Sequence, residues 1–173
     1  MPTWLVYGLT SSIFWGTYSI ISKLVTSEKY LKVDSMHASL LMLSGISIAF
    51  LGYFLLRMPN LSAFMRFIAM GLMLAIFIFV LCALKQAGIT ISFSVISLGL
   101  LSGALWAIGM IFTFLAFSAG AEAAKLVPIY NTNTLIAVFL GLIFLHELPA
   151  PDARFKVIIG ALLIVIGSIL VSK

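Results

Sequence analysis

A run of five hydrogen-bonding residues interrupts one of the long apolar stretches of this sequence. The run consists of Tyr130, Asn131, Thr132, Asn133 and Thr134. If a helix begins near Leu126, Asn133 lies about 10 Å along it, at roughly 1.5 Å per residue. Polar groups at that depth in a membrane need partners, and they usually face the helix bundle or a water-filled cavity. Their chemistry is therefore either the binding of a solute or hydrogen bonding between helices.

Aromatic residues elsewhere in the sequence could complete a binding site. Trp15 and Tyr18 fall with Ser11 and Ser22 on one polar face of a helix through the first apolar stretch, and Trp106 lies in the fourth. Aromatic rings and amides suit a neutral or weakly polar organic solute, which they hold by stacking and hydrogen bonding. The alternative is that these side chains only pack between helices. The candidate binding residues are Trp15, Tyr18, Trp106, Tyr130, Asn131 and Asn133.

Patterns typical of catalytic and metal sites are missing from the sequence. It has no nucleophile elbow, no phosphate-binding loop and no Cys/His ligand spacing. His146 beside Glu147 does not make a metal site, and His37 is remote in sequence. The single cysteine, Cys82, allows no internal disulfide. We therefore predict that the protein is not an enzyme, has no catalytic residues and needs no metal or cofactor.

The acidic residues all fall between the apolar stretches or at their ends. They are Glu28, Asp34, Glu122, Glu147 and Asp152. Proton-coupled carriers commonly use carboxylates inside the membrane. The sequence therefore argues against coupling of that kind, although an acid at the end of a span could still serve.

The composition requires a membrane around these residues. Hydrophobic residues make up 63% of the chain and charged residues 9%, and the charges cluster between apolar stretches. Each stretch is near the roughly 20 residues needed to cross a bilayer, and continuous apolar runs argue against a β-barrel. We predict an all-α, polytopic transmembrane helix bundle with six spans. The spans are expected at about 4–24, 37–56, 67–84, 93–117, 126–146 and 155–171, with the third and sixth short.

Helix-breaking residues separate the predicted spans, and basic residues flank them. Pro59, Gly88, Gly120 and Pro149 mark four of the breaks. The net charge of +5 suits contact with anionic lipid headgroups better than with nucleic acid, which we do not expect as a partner. Lys and Arg divide about six to four between the two sides of the membrane, so their bias selects an orientation only weakly.

Small residues recur at helical spacing in two of the spans. The first span carries Gly8, Ser12 and Gly16, and the fourth carries Gly99 and Gly103. Such stripes let another helix approach closely. We predict helix packing at these five positions, either within one subunit or between subunits.

Several motifs in order resemble the drug/metabolite transporter superfamily, specifically its EamA-like and glucose/ribose-porter-like branches. They are the Trp-Gly pattern at 15–18 followed by Lys23, and the segments 99–106, 123–129, 135–147 and 159–168. The later segments are similar to the family's "AA…P" helix, its apolar helix ending in Gly-Glu, and its final "IGA…LI..G" helix. His146 stands where the family has glycine. A family half has five spans, which makes five the alternative to six here.

The resemblance implies a function as well as a fold. Residues 1–173 would form a single EamA-like transmembrane domain, multi-pass in the cell (plasma) membrane. It would transport a small metabolite or other organic solute by alternating access, with its site between helices. The chain has about half the usual family length, so a homodimer is expected to complete the cavity. The alternative is a non-transporting membrane subunit or assembly factor that binds partner helices through its small-residue stripes.

Overall fold

Every regular element of the described chain is an α-helix. The computed structural model describes residues 1–89, 92–147 and 150–172. The helices are α1 (Thr3–Thr26), α2 (Ser35–Arg57), α3 (Ala63–Gln86), α4 (Phe93–Ser118), α5 (Ala123–Tyr130), α6 (Asn133–Phe144) and α7 (Pro151–Ser172). In lipid, a helix satisfies its own backbone groups, which is why continuous apolar sequence adopts this form. The predicted all-α, polytopic bundle is confirmed.

Five of the predicted spans have the length and apolar composition to cross a membrane. They are α2, α3, α4, the stretch Ala123–Phe144 that contains α5 and α6, and Ala153–Val171 within α7. The third and sixth spans were expected to be short, and that expectation was wrong, because α3 has 24 residues and α7 has 22. Both are long enough to cross roughly 30 Å of hydrocarbon.

The first predicted span differs from these five. α1 has 24 residues, but Ser, Thr, Tyr and Gly recur along it and lower its apolarity. Two of its serines, Ser11 and Ser12, are buried. Within the described residues, composition therefore identifies five spans, and a sixth through α1 stays a prediction.

Two predicted breaks are helix ends with left-handed backbone. Gly88 follows α3 with φ of 69°, and Gly120 follows α4 with φ of 88°. Glycine adopts this region without the steric penalty that a Cβ atom brings. Pro59 lies between α2 and α3, as predicted. The break predicted at Pro149 lies outside the described residues.

α2 begins at a capped end in the connection that precedes it. The Asp34 carboxylate accepts hydrogen bonds from the backbone N–H groups of Met36 and His37, as an N-cap residue does. His37 Nδ1 lies 3.0 Å from the same carboxylate, and this contact, the largest cause, lowers the pKa of Asp34. The ionised carboxylate therefore stabilises the fold above its ordinary pKa. That contribution is lost as the pH falls through the lowered value.

The chain divides into two compact units. The central unit is Ile21–Ile108, and the terminal unit is Met1–Ile20 together with Gly109–Lys173. α1 and α4 contribute residues to both units. The candidate site residues are distributed between them, so each unit is described by itself.

In the central unit, α2 packs against α3 and against the first part of α4. An ideal Cβ atom on Gly103 would lie 2.0 Å from the Met42 carbonyl oxygen, and one on Gly45 would lie 2.0 Å from that of Leu100. The α2 and α4 backbones are therefore in direct contact at reciprocal glycines. The core of this unit consists of Val25, Val33, Leu41, Val80, Leu84 and Val95.

In the terminal unit, the first part of α1 packs against α5 and α6 through small residues. Gly8 lies against Leu126 and Ile129, and Gly16 lies against Ile136. α7 packs against both α5 and α6. This arrangement places the polar run at 130–134 between an aromatic face of α1 and the apolar helix α7.

Candidate functional site

The fifth predicted span is broken at its polar run. We expected one continuous helix over 126–146, and that expectation was wrong: α5 ends at Tyr130 and α6 begins at Asn133. Pro128 lies inside α5, where its missing N–H removes a bond to the preceding turn. Beyond it the bonds tighten, and the Thr132 N–H donates to the Ile129 carbonyl oxygen at 3.1 Å, three residues back. Asn131 and Thr132 keep right-handed backbone angles, so the break is a single tightened turn between two half-helices.

Hydroxyl groups bond to two backbone carbonyls beside the break. The Thr132 hydroxyl donates to the Ile129 carbonyl oxygen at 2.7 Å. The Ser168 hydroxyl, on α7, donates to the Pro128 carbonyl oxygen at 2.8 Å. Irregular backbone at membrane depth is tolerated where protein side chains supply such partners or where it lines a cavity.

Two of the predicted site residues are in ring contact beside the break. The Trp15 and Tyr130 ring centroids lie 4.9 Å apart with an interplanar angle of 77°, an edge-to-face geometry that aromatic pairs prefer. Trp15 also lies over Gly109 of α4, where an ideal Cβ atom would be 2.4 Å from Trp15 Nε1. Gly109 therefore gives the indole the space it occupies beside Tyr130.

The two predicted asparagines occupy the break itself. Asn131 is exposed, and within the described residues its side chain makes no hydrogen bond. Asn133 is half-buried, and its Oδ1 accepts a long hydrogen bond of 3.4 Å from the Thr134 hydroxyl. The backbone carbonyl oxygen of Asn133 lies against Gly16, 2.9 Å from where a Cβ atom on that glycine would be. The amides thus retain capacity to bond to a solute or to water.

The other two aromatic candidates, Tyr18 and Trp106, lie on α1 and α4. Tyr18 is half-buried on α1, one turn from Trp15. Trp106 is half-buried on α4 in the central unit, whereas the other candidates belong to the terminal unit. Their part in a site stays a prediction.

A buried hydroxyl network joins α1 to α4 in the terminal unit. The Ser11 hydroxyl donates to the Gly109 carbonyl oxygen at 2.8 Å and lies 2.9 Å from the Thr113 hydroxyl. Ser11 is 0% exposed and Thr113 is 5% exposed. These serine and threonine groups have the interhelical partners that polar residues in membranes require, so they position Trp15 on the same helix.

A cavity of about 290 Å³ adjoins the first turn of α6. Its polar lining residues are Thr134 and Glu147, and Gly141 forms part of its wall. Mainly apolar pockets with a few polar groups are the usual form of small-molecule sites, from about 300 Å³ upward. The complete lining is Ile20, Thr134, Ala137, Val138, Gly141, Leu142, Glu147 and Val157.

The C-terminal end of α6 explains one departure from the family pattern. His146, which stands where the resemblance expects glycine, has φ of 51°. The Glu147 N–H then turns back to the Gly141 carbonyl oxygen at 3.2 Å, which is one residue further back than the bond of a Schellman cap. A glycine in the family pattern suits this left-handed position, and histidine adopts it here at some steric cost.

Other predicted and unpredicted positions concern packing. Gly99 lies against Leu41, and the buried Ser12 donates to the Leu9 carbonyl oxygen of its own helix. The sequence interpretation missed the packing roles of Gly45 and Gly109. The available signal was that each is an isolated glycine within an apolar helix. It also missed the role of Ser168. A serine in an otherwise apolar final span was the available signal.

Comparisons with known proteins give one match. The model of a family described as "Sugar transport protein" matches residues 63–173, more than half of the chain. The matched part includes the broken span and α7, and α1 precedes it. No curated protein and no solved structure matches the chain. The described residues contain no group of three or more His, Cys, Asp or Glu that could hold a metal ion, and the absence of a metal stays a prediction.

Proposed function

The chain belongs to the sugar transport protein family, and from that premise we propose that it carries a sugar-like solute across the membrane by alternating access. The observation that carries the proposal is the break of the fifth span at Asn131 and Thr132. Discontinuous helices form the substrate sites of many secondary transporters, because their exposed ends offer hydrogen-bonding groups at the bilayer midplane.

The residues around the break suit a polyhydroxylated, uncharged solute. Asn131 and Asn133 present amides that both donate and accept hydrogen bonds, as sugar hydroxyls do. Trp15 and Tyr130 present ring faces and edges on which the apolar face of a sugar ring can lie. No charge is needed for such recognition. The acidic residues of the described chain lie in connections or at helix ends.

The break also provides a place for movement. Two half-helices joined by a turn can change their relative angle with little change inside either one, as hinges do. Alternating access requires such a change around a fixed site. In this proposal α5 and α6 rock at Asn131, and Tyr18 and Trp106 are kept as further candidates for contact with the solute.

The exposed amide of Asn131 supports a water-filled cavity or a second subunit at this position. An amide facing hydrocarbon costs free energy, and such groups in spans almost always face the bundle interior or water. We therefore keep the homodimer in the proposal, with the second copy closing the cavity. Assignment to the EamA-like branch of the drug/metabolite transporter superfamily as a single domain, and residence in the plasma membrane, are proposed with it.

The alternative function is a membrane subunit that only binds partner helices. Its support was the small-residue stripes of α1 and α4. In the structure Gly8 and Gly16 face α5 and α6, and Gly99 and Gly103 face α2, all within the chain. The stripes are therefore occupied, and transport is the function that the geometry favours.

Uptake into proteoliposomes tests the proposed function. Purified protein is reconstituted, and entry of radiolabelled D-glucose, D-ribose and sucrose is compared with that of glycine and of citrate. We expect saturable uptake of at least one of the sugars and none of citrate. Protein that is folded and inserted, yet moves none of the sugars in either direction, would contradict the proposal. Mass measurement and crosslinking in the same vesicles test the homodimer.

A further inference from the structure

The Pro128 carbonyl has left the helix ladder and depends on another helix for its partner. In a regular helix the Thr132 N–H would donate to it, four residues back. Here that N–H donates to the Ile129 carbonyl oxygen instead. The Ser168 hydroxyl, on α7, donates to the Pro128 carbonyl oxygen at 2.8 Å. This bond crosses from α7 to the last turn before the break.

Ser168 is built into this position by its surroundings. It is 4% exposed, and α7 packs closely against α5. A cavity of about 220 Å³ lies beside it, lined partly by Ile129, Thr132 and Ser168. The hydroxyl therefore lies at the face of α7 that supports the break, with open volume next to it into which the backbone could move.

The same hydroxyl has a second acceptor. Its oxygen lies 2.8 Å from the Ile164 carbonyl oxygen, one turn back on its own helix. A serine hydroxyl carries one hydrogen, so that hydrogen is shared between the two carbonyls or alternates between them. Releasing Pro128 therefore does not leave the hydroxyl unsatisfied, because the bond to Ile164 remains. The contact holds the break and can be broken at low cost.

We infer that Ser168 is a positioning residue of the transport site, a releasable latch that holds the broken span in the form that presents Asn131 and Asn133. This inference rests on the proposed function. When the hydroxyl donates to Pro128, the turn at 131–132 is fixed and the amides face the solute. When it donates to Ile164, the Pro128 carbonyl is free to rejoin the ladder through the Thr132 N–H, and the site is reshaped. The latch belongs to one of the two states of the transport cycle.

The test removes the hydroxyl and measures both the latch and its consequence. Ser168→Ala deletes the donor, and Ser168→Thr keeps it. Ser44→Ala is the matched control, because Ser44 is also buried and donates only within its own helix, to the Leu40 carbonyl oxygen. Each variant is produced with its proline residues labelled with ¹³C at the carbonyl carbon and is then reconstituted into vesicles. The Pro128 band in the infrared spectrum is identified by its disappearance in Pro128→Ala.

We expect the Pro128 carbonyl band to move in Ser168→Ala and to stay in place in Ser168→Thr and Ser44→Ala. For the sugar that the wild type takes up, the half-saturation concentration should rise roughly 3-fold to 18-fold in Ser168→Ala, the range that interhelical hydrogen bonds give in membranes. The maximal rate per folded molecule should change less. A merely structural role would lower the amount of folded protein and leave the half-saturation concentration alone.

Three results would overturn the inference. A Pro128 band that does not move in Ser168→Ala would show that the bond is not made. If the band moves in Ser168→Ala while the half-saturation concentration stays at its wild-type value, Ser168 is not part of the site. The same conclusion follows if Ser168→Thr gives the same results as Ser168→Ala. If Ser168→Ala does not insert, Ser168→Thr against Ser168→Val gives the same comparison, because the two share a shape and differ in the hydroxyl. A wild type that moves no sugar contradicts the proposed function, whereas the infrared result still decides the latch.

Discussion

Buried serines behave differently in the two units of this protein. In the central unit, Ser44 and Ser102 donate to carbonyl oxygens of their own helices, at 3.4 and 2.7 Å. In the terminal unit, Ser11 and Ser168 donate to carbonyl oxygens of other helices, each at 2.8 Å, whereas Ser12 donates within its own helix. Both units pack at glycines, and in the terminal unit buried hydroxyls add hydrogen bonds between helices.

We interpret this difference between the buried serines as a difference in role. Packing in the central unit is structural, and packing near the break in the terminal unit supports the candidate site. Contact between glycines fixes two backbones at one distance and offers no group for a solute. A hydroxyl bonded to a backbone carbonyl can exchange that partner for water, for a solute or for another carbonyl. We expect substitutions in the central unit to act on folding and those near the break to act on transport.

The largest effect is expected from Gly103→Ala in the central unit. The new Cβ atom would meet the Met42 carbonyl oxygen at 2.0 Å, so α2 and α4 must separate. We expect a loss at the upper end of the roughly 1–3 kcal/mol seen for overpacking, measured as the melting temperature and the yield of monodisperse protein. Gly52→Ala, with open space around it on α2, is the control and should be neutral or slightly stabilising. A Gly103→Ala protein as stable as the control would contradict the claim that glycine contact between α2 and α4 stabilises the central unit.

The second effect is loss of transport in Asn133→Leu. The amide lies at the break, and its side-chain hydrogen bond is long, so its removal should cost little in folding, within roughly 0.6–2 kcal/mol. If it binds the solute, uptake should fall about 10-fold, which corresponds to roughly 1.4 kcal/mol of binding free energy. Uptake is measured per folded molecule in proteoliposomes. Unchanged uptake by a well-expressed variant would exclude Asn133 from the site.

The general plan of the fold could be predicted from the sequence because one physical term dominates it. Transfer of apolar residues to lipid fixes which segments become helices, and Gly88 and Gly120 mark helix ends that only a residue without Cβ adopts easily. The turn at Asn131 and Thr132 was not predicted. Composition reports that a segment is polar at its centre. It does not report which other helix bonds to a freed carbonyl, as Ser168 of α7 does for Pro128.

The candidate site was predictable in part for a related reason. Aromatic and amide residues are rare enough in apolar spans that Trp15, Tyr130 and Asn133 stand out by type alone. The residues that support them do not stand out. Gly109 is one glycine among 13, and its role beside Trp15 depends on how α1 and α4 approach each other. Sequence periodicity within one helix contains no information about that approach.

The third effect compares two serines directly. Ser11→Ala removes the bond to the Gly109 carbonyl oxygen and the contact with Thr113, and we expect a loss of about 0.6–1.7 kcal/mol in stability. Ser44→Ala removes a bond within one helix only and should change stability by a few tenths of a kcal/mol at most. Both are measured by thermal unfolding in the same detergent. Equal losses of stability in the two variants would mean that the buried hydroxyls contribute equally in both units, which would contradict the comparison.

The smallest effect is expected at the C-terminal end of α6. The N-terminal end of this helix is proposed to bind solute, whereas His146 follows its C-terminal end and is expected only to terminate the helix. His146 holds a φ of 51°, which costs a residue with a Cβ atom about 1 kcal/mol relative to glycine. His146→Gly should therefore stabilise the protein by about that amount, with uptake unchanged. Gly120→Ala is the mirror control, because Gly120 has φ of 88° and open space around it, and it should lose a similar amount. A His146→Gly protein that gains stability and loses uptake would show that the imidazole acts in transport, and the C-terminal end of α6 would then belong to the site.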